Sequence, residues 1–171
     1  ETLANEVAAR EGVRIYDIEF AGGAQGRVLR VFIDKDGGVG IDDCANVSRG
    51  LNLMLDVVDP IPGGKYNLEV SSPGLERPLK KTWHFQEVVG KKIWIKLNRA
   101  LESFGSTDKK LKAAKQITET LVAVEANGIR IQVGEEQVVV PFENLEKAKT
   151  VFDFNEGKHE KKGHPKKGAH R

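Results

Sequence analysis

The chain has 171 residues, 39% hydrophobic and 30% charged, a balance that suits one or two small folded domains. It contains no run of about 18 apolar residues, which excludes a membrane-spanning helix, and its single cysteine, Cys44, excludes an internal disulfide and points to a reducing, cytoplasmic setting. The net charge of +2 hides a gradient: Lys and Arg against Asp and Glu number 10 to 14 over residues 1–88, 11 to 9 over 89–154 and 6 to 2 over 155–171.

An acidic front repels phosphate and attracts basic protein, which argues against a chain dedicated to bare RNA. The chain opens at Glu1 with neither a methionine nor a basic-then-apolar leader, so it reads as a trimmed start rather than a signal peptide. Leu3, Ala4, Val7 and Ala8 recur at helical spacing until Gly12 breaks the pattern. Tyr16, Ile18 and Phe20 then alternate with Asp17 and Glu19, and Leu29, Val31 and Ile33 with Arg30 and Phe32, the period of two half-buried strands joined by a loop over Ala21–Gly26. Asp42 or Asp43 is placed to cap a helix with the stripe Cys44, Val47, Leu51, Met54, Leu55 and Val58, which Pro60-Ile61-Pro62-Gly63-Gly64 stops. Tyr66, Leu68 and Val70 supply a third strand.

This order, helix-strand-strand-helix-strand, predicts an α+β fold whose first domain is an α/β layer with a three-stranded sheet. Two helices cannot cover both faces of so small a sheet and share one core, so they are expected on a single face. The open face then carries Asp17, Glu19, Arg30, Phe32, Asn67 and Glu69. Its carboxylates suit a basic protein partner, with Phe32 as the apolar anchor. The segment Val70-Ser71-Ser72-Pro73-Gly74-Leu75-Glu76-Arg77-Pro78-Leu79 follows. Pro73-Gly74 suits a type II turn, and Arg77 is pushed towards an extended conformation by the proline after it. So rigid a segment can present Leu75, Glu76 and Arg77 to a neighbour with little entropy left to lose.

Residues Thr82 to Val89 read as a short bridge, and the domains are expected at 1–88, 89–154 and a basic disordered tail at 155–171. Strand patterns recur at Ile93–Leu97, Leu121–Val124, Ile129–Val133, Val138–Val140 and Glu146–Phe154, with Asn127-Gly128 a two-residue hairpin signal. Short strands without a long helix predict a small β-barrel of Sm-like or SH3-like type. Residues 98–116 interrupt it with a long basic loop carrying Arg99, Lys109, Lys110, Lys112 and Lys115. Lys91, Lys92, Lys96 and Arg99 are the candidate partner contacts of this domain.

Enzymatic chemistry finds little footing. Cys44 would lie near a helix N-terminus, which favours a thiolate, but a nucleophile needs a positioned base and nothing places His84 beside it. Asp34, Asp36, Asp42 and Asp43 lack the spacing and closing glutamate of a calcium loop. Gly22, Gly23 and Gly26 lead into a strand rather than a helix N-terminus that could hold phosphate. His159, His164 and His170 lie in a tail without fixed geometry. The expectation is no catalytic residue, no cofactor and no metal.

The run Ile41-Asp42-Asp43-Cys44-Ala45-Asn46-Val47-Ser48-Arg49, then Leu55-Asp56-Val57-Val58-Asp59-Pro60-Ile61, then Tyr66-Asn67-Leu68-Glu69-Val70 leading into SSPGLERPL, resembles the bacterial ribosome maturation factor RimP family. The likeness spans residues 13–80 and returns at Val140-Pro141-Phe142-Glu143-Asn144-Leu145-Glu146-Lys147-Ala148, but lapses between Asn98 and Glu119. It implies a non-enzymatic assembly factor with an α/β N-terminal domain and an Sm-like barrel. It implies as partners the small ribosomal subunit precursor and the twelfth ribosomal protein of that subunit; small-subunit ribosomal RNA is a further expected partner, the setting is expected to be cytoplasmic and the factor is expected to be a monomer. A general RNA-binding or RNA-chaperone protein, gripping phosphate with the loop and tail, is the alternative.

Overall fold

Helix α1 (Thr2–Arg10) buries Ala4, Val7 and Ala8 in the computed structural model, which describes residues 1–24 and 26–152. These are the positions that helical spacing singled out, apart from Leu3. Strands β1 (Arg14–Gly23) and β2 (Gly26–Asp34) form an antiparallel hairpin in which Gly23 pairs with Gly26. The strands therefore consume most of the Ala21–Gly26 stretch read as a loop. Alanine and glycine carry no strand signal of their own, and the pairing extends through them by continuity of the ladder.

A bulge at Tyr16 shifts the register between Ile15 and Asp17. Ile15 thereby joins the core ahead of the expected Tyr16-Ile18-Phe20 alternation, while Phe20, at the far end of the strand, is 47% exposed. Helix α2 (Ile41–Val58) buries Val47, Leu51 and Leu55, and β3 (Asn67–Ser71) then pairs parallel to β2, in the sheet order β1-β2-β3. The parallel partner requires a crossover, which α2 provides. Both helices pack with Ile15, Leu29, Val31 and Ile33 into one core, so the helices share one sheet face. At the start of α2 the N-cap is Gly40. Asp43 stands at the third helical position, where its carboxylate accepts the Gly40 N–H at 2.8 Å.

The chain divides into two compact units, Glu1–Gly74 and Leu75–Arg171. The expected boundary at 88/89 thus moves to the turn at Gly74, whose φ of +80° fits the third position of a type II turn. Leu79 and Phe85 explain the shift. Both are almost fully buried, in the same core as Ile93, Ile95 and Leu97.

The second unit begins with α3 (Thr82–Gln86), followed by β4 (Lys92–Leu97), β5 (Gln116–Val124), β6 (Gly128–Val133), β7 (Glu136–Pro141) and β8 (Leu145–Thr150). They form a five-stranded antiparallel sheet in the order β7-β6-β5-β4-β8. Residues 116–120 of β5 pair with β4 and residues 121–124 with β6, with a register shift between Leu121 and Ala123. The sheet bends there around a core to which all five strands contribute. It is not closed, because β7 and β8 stand at its two edges, so the expected barrel is present only as an open, curled sheet.

The hairpin at Asn127-Gly128 lies where expected, but for another reason. Glu125 N–H donates to the Gly128 carbonyl at 2.8 Å, which puts Ala126 and Asn127 at the tip and Gly128 in the strand. A Cβ at Gly128 would lie 2.3 Å from the Val140 carbonyl oxygen, so glycine is demanded by the approach of β7. Strand β8 ends at Thr150. The final part of the strand expected to reach Phe154, and the tail at 155–171, lie outside the described residues.

Candidate functional site

In the first unit, strand register brings four of the expected contact residues onto one face. Asp17 lies opposite Phe32, and Glu19, Arg30 and Glu69 form a row across β1, β2 and β3. The Arg30 guanidinium donates to Glu69 at 2.8 Å with both side chains about half exposed. The Glu69 hydrogen bond, then its charge, raises the pKa of Arg30 above its ordinary value, and Glu19 adds to the effect. Asp17 Oδ1 accepts the Ile18 N–H at 2.9 Å, just past the bulge. Phe32 is half-buried beside this row. The face therefore carries Asp17, Glu19 and Glu69 with Arg30 around the Phe32 ring, and the Arg14–Asp34 ion pair at 2.7 Å lies on the far side of that ring.

Leu75, Glu76 and Arg77 belong to the second unit, where their segment runs beside β8. The Thr150 hydroxyl accepts the Arg77 N–H at 2.8 Å and donates to the Leu75 carbonyl at 2.9 Å. Pro78 bridges to Lys149, and Leu79 N–H donates to the Ala148 carbonyl at 2.8 Å. A segment read as a docking element thus covers an edge strand, a role that proline suits because it adds no outward donor. The Leu75 side chain remains 67% exposed, and Glu76 accepts from Lys149 at 2.6 Å.

Lys92 and Lys96 lie on the outer face of β4, on either side of Trp94, because Ile93, Ile95 and Leu97 turn inward. Strand β8 sets Lys149 opposite Trp94 and Lys147 opposite Lys96. Lys91 precedes the strand with its carbonyl accepting Leu121 N–H, and Arg99 lies beyond its end, so neither joins this row. Trp94, Lys147 and Lys149 were missed as site residues. The Lys-Ile-Trp-Ile-Lys alternation was there to be seen, but which strand faces it was not.

Residues 98–116 are less loop-like than their composition. Leu101 is fully buried, Phe104, Leu111 and Ala114 pack on the core, and Leu101–Phe104 forms a 3-10 turn. Glu136 holds the segment from β7. Its carboxylate accepts the Ser106 and Thr107 hydroxyls at 2.6 and 2.8 Å and the Thr107 and Asp108 amides at 2.8 and 3.1 Å. These bonds, the Ser106 hydroxyl first, bring its pKa down to about 2.

Burial and the neighbouring Asp43 carboxylate push the Cys44 thiol up, the opposite of what a nucleophile needs. His84 is buried, and its Nδ1 accepts the Lys80 and Lys81 amides at 3.1 and 3.2 Å, which makes it a cap for α3. No helix among the described residues is long and apolar enough to cross a membrane.

Residues 3–76 match the family model described as the RimP N-terminal domain. The span runs from α1 through β3 and stops at the start of the segment beside β8.

Proposed function

The N-terminal domain of this chain belongs to the RimP family, and from that premise we propose that the protein is a non-catalytic maturation factor for the small ribosomal subunit. It binds the immature subunit and holds a basic ribosomal protein, the twelfth of that subunit, in the cytoplasm. The observation that carries the reading is the carboxylate row Glu19-Arg30-Glu69 beside Phe32, on a sheet face left open by both helices. Complementary charge of this kind speeds encounter and selects among partners, while the ring supplies an apolar anchor. The second unit's curled sheet supports an Sm-like reading, and a second, weak contact through it would raise affinity by effective concentration.

The test is co-sedimentation of the full chain with immature and mature small subunits, alongside titration with the purified basic ribosomal protein. The double variant Glu19→Lys/Glu69→Lys should weaken that protein's binding by roughly tenfold at low salt, and by less as salt screens the face. Equal retention on mature and immature subunits, or a double variant that binds like the parent, would sink the proposal. The rival, a general RNA-binding protein, draws its support from the lysines around Trp94.

A further inference from the structure

We infer that the outer face of β4 and β8 binds unpaired nucleotides of single-stranded RNA, with Trp94 as the stacking surface and Lys92, Lys96, Lys147 and Lys149 as phosphate contacts. The face is built by register. Trp94 lies between Lys149 on β8 and Thr118 on β5, and Lys96 between Lys147 and Gln116. Lys92 and Lys96 are two residues from Trp94 in either direction, about 7 Å along the strand. A base on the ring therefore brings its flanking phosphates within reach of long lysine side chains.

Two carboxylates share the face. Glu146 pairs with Lys96 at 2.9 Å and Glu76 with Lys149 at 2.6 Å, leaving four ammonium groups against two carboxylates. Both pairs are substantially exposed, and exposed pairs are weak enough to exchange a carboxylate for phosphate. The Lys149 ammonium lies 5.6 Å from the Trp94 ring centroid, so the ring already accepts a cationic neighbour. Trp94 also borders a groove of about 790 Å³ lined by Pro78, Phe142 and Leu145, which provides apolar room beside it. An acidic peptide would answer the lysines but leave the ring unused, and duplex RNA hides its bases. Aromatic surface within a basic strip is the arrangement that single strands use without sequence preference.

The proposal rests on the second unit, outside the family match, so it stands or falls apart from the protein-holding role. In the full chain with Trp83→Phe, Trp94 is the only tryptophan, and its emission reports the site. Oligouridylate should quench it. Trp94→Ala, made in the parent chain and followed by anisotropy of labelled oligouridylate, should weaken binding about 5- to 150-fold, and Trp94→Phe should keep most of it. Lys147→Ala should lower the salt slope by about 0.7. Unchanged affinity in Trp94→Ala overturns the inference. So does polyglutamate or duplex RNA of equal length binding as well as oligouridylate. Should Trp94→Ala unfold, the exposed pair Lys92→Ala/Lys147→Ala decides, and parental affinity and salt slope in that variant overturn the inference. Titration with the basic ribosomal protein, run beside it, reads the first unit separately.

Discussion

Gly128→Ala isolates the demand that β7 places on the strand beside it. Gly128 lies outside the left-handed region, so alanine meets no backbone strain, and the whole effect is steric. The added Cβ would sit 2.3 Å from the Val140 carbonyl oxygen and 2.9 Å from Pro141 Cα, both backbone atoms that cannot rotate away. Strand β6 must therefore separate from β7 at the Gly128–Pro141 pair, straining the Glu125-to-Gly128 and Phe142-to-Asn127 hydrogen bonds at the same turn. Overpacking costs about 1–3 kcal/mol and a weakened turn bond about 1 kcal/mol, so a loss of about 3 kcal/mol is expected. In a unit of this size each kcal/mol moves the midpoint by roughly 4–8 °C, which predicts a fall of about 12–24 °C. Both tryptophans, Trp83 and Trp94, lie in the second unit, so thermal unfolding followed by tryptophan fluorescence reports that unit directly. A variant within about 0.5 kcal/mol of the parent, the range of an ordinary surface substitution, would refute the close approach.

Glu136 carries a pH dependence. Its folded-state pKa of about 2 lies below the ordinary 4.5, so its stabilisation is complete above about 4.5 and is lost as pH falls towards 2. Glu136→Gln should therefore be less stable than the parent at neutral pH, and acid titration of the two should converge below pH 4; parallel curves would contradict the assignment. Thr150→Val keeps the shape at the end of β8 but removes the hydroxyl's hydrogen bonds to the Arg77 amide and the Leu75 carbonyl. It should cost about 1 kcal/mol or more and speed hydrogen exchange at Arg77, while Thr150→Ser restores both, and an unchanged exchange rate would show that the segment is held by other contacts.

Local periodicity reached far in this chain. The α2 stripe is buried at Val47, Leu51 and Leu55 but overruns at Val58, which is 52% exposed at the end of the helix. The alternation that placed Asp17, Glu19, Phe32 and Glu69 on one face survives the bulge at Tyr16, because the bulge precedes Asp17 and leaves the later pairs in phase. Loop 98–116 misled through composition. Its lysines are exposed, yet Leu101 ahead of them is fully buried, and the carboxylate that ties the segment down comes from Glu136 on β7.

The sequence by itself determined most of the elements and their alternating faces, since helix stripes, strand alternation and turn residues are encoded by neighbours a few positions apart. Only the tertiary structure decided which strands lie side by side. That choice made Glu19, Arg30 and Glu69 a single row, set Lys147 and Lys149 against Lys96 and Trp94, and moved the unit boundary to Gly74 by drawing Leu79 and Phe85 into the second core. Pairing between strands far apart in sequence depends on how whole apolar faces come together, and no local pattern carries that information.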